Sequence, residues 1–275
     1  MVARAARAHE LDRYLAALLA PAGVRADLIA LAAFAGEIAR VPAFVSEPML
    51  GEIRLQWWRD TLDAIAAAGA SSGNPIADAV GDAVRRHALP MELLHGLIDA
   101  HAARLIDAPF ADLPALSANL AHTDGALFAL GWRILGGARE DAEPGLIAAG
   151  AQAYGLARLL VELPVTLSHG KILLPLDRLA AHGLTPDEVR QDTGGDRLAR
   201  VLAELAGRAR QHADEIRRDW RALSPAARAA LRPLALVRPY LRLSERRSSS
   251  VYEVADVAPL TRVWRLWRIG HSGAV

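Results

Sequence analysis

The chain has 275 residues, of which 52% are hydrophobic but only 5% aromatic, so its apolar mass is mostly Ala, Leu, Val and Ile. Ala and Leu favour helices, which makes an all-helical protein the first expectation. A net charge of +1 gives no general attraction to nucleic acid, and the lack of cysteine excludes disulfides, Cys-ligated zinc and thiol catalysis.

The first residues, MVARAARAHELDRYL, are partly basic but contain no apolar stretch of the kind that secretory signals have. No uninterrupted apolar run reaches the roughly 18 residues that a membrane-spanning helix needs. We therefore expect a soluble, cytoplasmic protein without a nucleic-acid partner.

Helical patterns follow one another along the chain, separated by short breaks marked by Pro or Gly. The predicted helices span, in order, 9–19, 25–41, a segment from about 49, 76–87, 90–106, 117–135, 144–163, 174–182, 196–223, 224–240 and 260–270. The helix that starts near 49 carries Leu50, Ile53, Trp57 and Leu62 at helical spacing. Strand-like alternation never lasts more than a few residues. The prediction is one all-α domain, a helical bundle covering 1–275.

Several enzyme motifs are absent, including G-x-S-x-G, H-E-x-x-H, the P-loop pattern and G-x-G-x-x-G. His95 and Asp99 are four residues apart, which suits a metal but is more typical of a surface pair. Ser168 and His169 are adjacent, which is not a catalytic geometry. None of these residues predicts a site.

Two apolar helices each carry one pair of opposite charges. Arg158 and Glu162 are four residues apart, and Glu37 and Arg40 are three apart, so each pair shares a helix face. One interpretation is an intrahelical salt bridge at the margin of the core. The other is that the pairs line a cavity inside the bundle.

Five segments resemble, in order, the motifs of the squalene/phytoene synthase family of head-to-head prenyl transferases. They are RADLIALAAFAGEIARV, GEIRLQWWRDTLDAI, DGALFALGWRILGG, GLARLLVEL and GKILLPLDRLAAHGL. The last is similar to the family phrase G-R-x-Y-L-P-x-D-x-L-x-x-x-G-L and is the most specific of the five. The resemblance implies an all-α fold of the isoprenoid synthase type.

The family's two Asp-rich motifs, which hold magnesium against the substrate diphosphates, have no counterpart here. Aligned from Arg25, the first motif falls on residues 39–43, which read ARVPA, and the second falls on Val165 and Thr166. Magnesium requires carboxylate and phosphate oxygens. Pro164 is also expected to interrupt the helix that would present the second motif.

The resemblance thus implies a member that has lost magnesium-dependent prenyl transfer, with no catalytic residue and no metal ligand. Its candidate cavity or diphosphate-binding residues are Glu37, Arg40, Arg158, Glu162 and Lys171. This pattern is similar to a divergent branch that includes a mitochondrial assembly factor for respiratory complex I. The implied partners are a complex I subunit and a prenyl diphosphate or lipid in a central cavity.

Two other functions remain open. The chain could be an active prenyl transferase that uses magnesium held by other carboxylates, for which Asp60, Asp63, Asp187 and Glu188 are the reserves. It could also be a protein-interaction module without a cavity. Facing carboxylates across a cavity would favour the first of these.

The last predicted helix, LTRVWRLWRIG, places Trp264 and Trp267 three residues apart, with Arg262, Arg265 and Arg268 also at intervals of three. Such a basic amphipathic helix has two interpretations. Either the tryptophans dock on the bundle and the arginines are solvated, or the helix contacts an anionic membrane from its inner face.

Overall fold

The structure is a computed structural model that describes residues 1–44, 47–69, 71–106, 108–137, 144–246 and 250–272. Regular structure in these ranges is helical and includes no strand, which confirms the all-α prediction. Residues 45 and 46, which precede the helix predicted from about 49, lie outside the described residues.

The described residues form fifteen α-helices, one π-helical turn and one 3-10 segment. In chain order these are α1 (Val2–His9), α2 (Leu11–Leu18), α3 (Ala22–Phe44), α4 (Pro48–Ala68), α5 (Pro75–His87), α6 (Met91–Ala102), α7 (Leu113–Leu120), the π turn (Ala121–Gly125), α8 (Ala126–Ile134), α9 (Pro144–Ser168), α10 (Leu176–Ala181), α11 (Pro186–Arg190), α12 (Gly195–Asp219), α13 (Pro225–Ala230), the 3-10 segment (Arg232–Leu236), α14 (Val237–Glu245) and α15 (Pro259–Ser272).

Two prolines lie inside helices that were predicted to end before them. Helix α3 continues through Pro42 to Phe44, and α9 continues through Pro164 to Ser168. A proline inside a helix costs about 3 kcal/mol, because it removes a hydrogen bond and crowds the preceding turn. Both helices are largely buried, so the packing of their apolar faces outweighs this cost. The predicted break at Pro164 is therefore wrong.

A first compact unit comprises Met1–Ile106, Ala126–Ile147 and Ala222–Pro233. Helix α3 is its central element and packs against α1, α2, α4, α5, α6 and α8. Phe34 and Ile38 of α3 are fully buried, and the Phe34 ring meets Trp58 of α4 edge to face at a centroid distance of 5.3 Å. This environment explains why α3 is apolar on nearly every face.

The outer face of α4 is unusually apolar. Leu62 is buried, but Leu50, Ile53 and Trp57, which share one face of the helix, are between 41% and 60% exposed. Met49 is 68% exposed on the same side. The apolar residues of α4 therefore lie on two faces of the helix, and only one of these faces packs into the core.

A second compact unit comprises Asp107–Gly125, Ala148–Arg221 and Leu234–Val275. Within it, α12 packs against α10 and α14, and α7 continues directly into the π turn. Tyr154 of α9 and Trp220, just after α12, are among its fully buried side chains. The predicted single helix 117–135 is thus divided by a π turn.

Helix α15 belongs to this second unit. Its Leu266 and Ile269 are buried, as is Arg262, but Trp264 and Trp267 remain 47% and 48% exposed. Of the two interpretations of this helix, docking of the tryptophans with solvated arginines fits only in part, because both tryptophans are about half exposed and Arg262 is buried.

Two predictions about the whole chain remain predictions. The assignment of 1–275 to one domain is one of them, since the two units are each defined by their own packing. The absence of a membrane span is the other. Residues 145–168 are long and apolar enough to cross a membrane, but 61% of the most apolar stretch is buried inside the protein, as in a core helix.

Candidate functional site

Glu37 lies on α3 in the first unit and is held between two arginines. Arg40 Nη1 is 3.5 Å from Glu37 Oε1, and Arg54 Nη2 is 3.5 Å from Glu37 Oε2. The Glu37 side chain is only 18% exposed, whereas those of Arg40 and Arg54 are 39% and 55% exposed. The predicted pair is present, and α4 supplies a second cation that sequence spacing could not reveal.

These three side chains suit an anion better than a cation. Two guanidinium groups face one carboxylate, and both carboxylate oxygens of Glu37 already have a guanidinium within ion-pair distance. The neighbouring positions Ala39 and Val41 carry no oxygen ligand, and Val41 is buried. The donor set around this end of α3 therefore does not fit magnesium, which needs several free carboxylate oxygens.

Arg158 lies on α9 in the second unit and contacts two carboxylates. Its Nε lies 2.8 Å from Glu162 Oε1, as the spacing of four residues predicts, and its Nη1 lies 3.9 Å from Asp124 Oδ1. The Asp124 side chain is 9% exposed and that of Glu162 is 49% exposed. The buried acid that Arg158 neutralises is thus Asp124, which sequence reasoning missed.

The approach of Asp124 to α9 depends on local backbone features. Asp124 lies in the π turn, where the chain departs from regular α geometry, as often happens at functional positions. A Cβ placed on Gly155 would lie 2.7 Å from Leu120 Cδ2 and 3.0 Å from Asp124 Oδ2. Gly155 therefore allows close packing here, and Arg158 lies one turn further along α9. The signal in the sequence was a Thr-Asp pair inside an apolar helix.

The phrase that follows α9 is a structural junction. The Leu176 backbone N–H donates to Phe110 O at 2.8 Å, and that of Asp177 donates to Ala111 O at 3.2 Å. Burial would raise the pKa of the Asp177 carboxyl, but the contacts with Arg178 and the backbone hydrogen bond from Leu113 together outweigh this effect and lower it. The L-P-x-D phrase thus joins the start of α10 to the segment before α7.

Lys171 opens that phrase, and its backbone N–H donates to Thr166 O at 2.9 Å, closing the C-terminal end of α9. Its side chain is partly exposed. Since the site residues are divided between the two units, the proposed cavity role of all five stays a prediction.

The carboxylates considered as alternative magnesium ligands form hydrogen bonds and ion pairs with neighbouring residues. Asp60 accepts a hydrogen bond from Gln56, and Asp187 pairs with Arg190. Glu188 forms a capping box with Thr185 at the start of α11 and pairs with Arg197. The backbone hydrogen bond from Thr185, followed by the contact with Arg197, lowers the pKa of Glu188.

The His95 and Asp99 pair does not act together either. Asp63 Oδ1 lies 2.9 Å from His95 Nε2, whereas Asp99 pairs with Arg59. Among the described residues, no group of three or more His, Asp or Glu side chains is arranged to hold a metal ion. The expectation that the protein has no metal cofactor stays a prediction.

The all-helical fold and the order of the five sequence motifs together define the class of protein to which this chain belongs. The chain belongs to the squalene/phytoene synthase family, whose family model matches residues 6–268. It is similar to the protein named NADH dehydrogenase (ubiquinone) complex I, assembly factor 6, from Bos taurus, with 28% identity over 86% of this chain and 70% of that protein. The Homo sapiens protein of the same name is 29% identical over 75% of this chain. The chain spans 61% of the length of that human relative.

Two solved structures have the same fold. Squalene synthase HpnC from Alicyclobacillus acidocaldarius superposes with a TM-score of 0.77, 22% identity, and coverage of 92% of this chain and 94% of that one. A dehydrosqualene synthase in complex with ligand gives a TM-score of 0.76 at 14% identity, with coverage of 98% and 93%. The predicted isoprenoid synthase type of fold and the resemblance to the assembly-factor branch are both confirmed.

Proposed function

We propose that this protein is an assembly factor for respiratory complex I and does not catalyse magnesium-dependent prenyl transfer. The observation that carries the proposal is the similarity to complex I assembly factor 6 proteins, which extends over 75% to 86% of this chain in the human and bovine comparisons. The partner is accordingly a complex I subunit or an assembly intermediate.

The chemistry of the candidate residues supports the second half of the proposal. Departure of diphosphate concentrates negative charge, and magnesium ions ordinarily neutralise it. Here the acids near the two motif positions are already opposed by arginines, Glu37 by Arg40 and Arg54, and Asp124 and Glu162 by Arg158. Carboxylates engaged in this way are poor metal ligands, and arginine alone provides several kcal/mol less stabilisation of a leaving diphosphate.

A protein of this fold that does not catalyse prenyl transfer can still bind a prenyl lipid. The arginines on α3 and α4 in the first unit, and Arg158 on α9 in the second unit, each suit a phosphate group, because guanidinium donates two parallel hydrogen bonds to its oxygens. Such a ligand would bind without magnesium and would remain unchanged. A lipid-handling role is therefore part of the same proposal.

Deletion of the gene in a host that has complex I tests the assembly role. We expect NADH:ubiquinone activity to fall while succinate oxidation and the levels of squalene and carotenoids stay unchanged. Return of the wild-type gene should restore the activity. Loss of a prenyl product with normal NADH oxidation would instead favour an active prenyl transferase.

Incubation of the full chain with labelled farnesyl diphosphate, NADPH and magnesium tests the chemistry directly. We expect no squalene and no presqualene diphosphate over many hours, with an active squalene synthase as the positive control. Any product whose formation depends on magnesium would overturn the proposal that the protein does not catalyse prenyl transfer. The proposed assembly role would then be judged by the deletion experiment alone.

A further inference from the structure

The outer side of α15 presents an apolar face to solvent. Leu260 is 85% exposed, Val263 45%, Trp264 47% and Trp267 48%, and the spacing of these residues places them on one side of the helix. We call these four residues the Trp face. Single exposed apolar residues are common, but four on one helical face mark a contact surface.

Buried contacts on the opposite side of α15 fix the orientation of this helix about its own axis. Leu266 and Ile269 are buried there, and Arg262 is 5% exposed. Arg262 Nη1 donates to the Tyr240 hydroxyl at 3.2 Å, and its Nη2 pairs with Asp256. Because a buried guanidinium with these partners can hardly turn outward, the Trp face is held toward solvent.

Cationic side chains flank the Trp face. The guanidinium carbons of Arg265 and Arg268 lie 6.0 and 5.0 Å from the centre of the Trp264 ring. Burial lowers the pKa of Arg265, and the like charges of Arg242, Arg268 and Arg238 lower it further. Arg265 is thus partly buried beside like charges from α14 and α15, and we call the four arginines 238, 242, 265 and 268 the Arg cluster.

The positive charge of this cluster is only partly balanced. Among the described residues, neither Arg242 nor Arg265 pairs with a carboxylate, and the buried Nε of Arg265 lacks a hydrogen-bond partner. Arg238 has Asp214 at 4.0 Å. Arg238 and Arg242 also line a pocket of about 270 Å³ together with residues of α12. Asp214 and Glu245 line the same pocket, and Glu245 pairs with Arg210, so these carboxylates offset only part of the positive charge. The rest of the cluster suits anions from outside the chain.

We infer that the Trp face and the Arg cluster together form a docking surface for an anionic lipid bilayer. The Trp face enters the boundary between headgroups and acyl chains, where tryptophan is favoured and apolar area is buried. Arg242, Arg265 and Arg268 bind headgroup phosphates, whose negative charge is complementary to that of the arginines. The inference goes beyond the proposed function, since it concerns where the protein resides and holds with or without an assembly role.

Vesicle flotation with the full chain tests the inference. We expect strong binding to an equal mixture of phosphatidylglycerol and phosphatidylcholine, weaker binding as salt is added, and little binding to pure phosphatidylcholine. Arg265→Gln with Arg268→Gln should reduce the partition coefficient on anionic vesicles about fivefold for each arginine. Trp264→Ala with Trp267→Ala should reduce it about tenfold or more.

Matched variants separate a local surface from general stickiness. Trp57→Ala removes a tryptophan of similar exposure, 41%, from α4, and Arg200→Gln with Arg221→Gln removes two exposed arginines from elsewhere in the second unit. Both should bind anionic vesicles like the wild type, and circular dichroism should show that every variant is folded. Equal binding by the α15 variants and the wild type would overturn the inference. So would self-association without vesicle binding, because the face would then join two copies of the chain.

Discussion

Asp27 is a buried carboxylate on α3 that illustrates how single residues support the first unit. His87 Nε2 lies 2.8 Å from its Oδ2, and Arg86 pairs with its Oδ1. Burial alone would raise the pKa of Asp27, but the hydrogen bonds from Arg86 and His87 outweigh this effect, and the pKa lies below its ordinary value. The carboxylate therefore joins the end of α5 to the start of α3.

Asp27→Asn should lower the free energy of unfolding by about 1–3 kcal/mol at neutral pH, because it removes the charge of a buried acceptor that pairs with both Arg86 and His87. Because the pKa of Asp27 is lower in the folded state, this contribution to stability is present above the ordinary carboxyl pKa of about 3.9. It is lost as the pH falls through the pKa of Asp27 in the folded state. Urea unfolding of both proteins from pH 7 to pH 3 should show the difference closing only below about pH 4. Asp82→Asn, at an exposed acid of α5, serves as the control and should have a much smaller effect. A difference that is independent of pH would contradict the charge argument.

The Arg158 contacts give a second prediction at the residue scale. Arg158→Leu should destabilise the fold by about 1–3 kcal/mol, because it removes the cation beside the buried carboxylate of Asp124. Glu162 is half exposed and accounts for little of this cost. Adding Asp124→Asn to Arg158→Leu should therefore recover stability, whereas adding Glu162→Leu should not. Double-mutant cycles by chemical denaturation measure both couplings, and a larger coupling to Glu162 than to Asp124 would refute this assignment.

At the scale of elements, the contact of α9 with α7 and the π turn is set by the lack of a side chain at Gly155. Gly155→Ala should destabilise by about 1–3 kcal/mol, since the new methyl group would lie 2.7 Å from Leu120 Cδ2. Gly145→Ala in the same helix meets no atom within 4 Å and should be neutral or stabilising by up to about 1 kcal/mol. Thermal unfolding of the two variants provides the comparison, and equal effects would show that α9 has room to shift.

Helix positions were predictable from sequence to a useful degree, but helix interruptions were not. The predicted helix 76–87 agrees with α5 to within one residue, because Asn74 caps it and Pro75 begins it. By contrast, α3 and α9 pass through prolines, and the predicted helix 117–135 contains a π turn. These departures are decided by packing against neighbouring helices, which a local pattern does not contain.

At the scale of the whole molecule, the proposal predicts how a prenyl diphosphate affects stability. Farnesyl diphosphate should raise the melting temperature modestly, because a ligand that binds only the folded state stabilises it. The rise should be the same with excess magnesium or with EDTA, after allowance for diphosphate that magnesium binds in solution. Arg158→Gln or Arg40→Gln should diminish it. Stabilisation that appears only with magnesium would indicate a metal site and contradict the proposal.

Sequence by itself determined the class of this protein. Ala- and Leu-rich helical periodicity implied an all-α fold, and five short motifs in a set order identified the family, because such patterns depend on neighbouring residues and survive divergence. The sequence also predicted that the Asp-rich motifs are absent, since this prediction concerns residue identity at the aligned positions.

Only the tertiary structure decided which charges meet and which apolar faces are covered. Asp124 reaches Arg158 across 34 positions of the chain through the π turn and Gly155, and Arg54 reaches Glu37 from another helix. Trp57, Trp264 and Trp267 are exposed while Trp58 and Trp220 are buried, although their local patterns are similar. The physical reason is that burial and ion pairing depend on distances between elements, and helical periodicity defines the faces of a helix without stating what each face contacts.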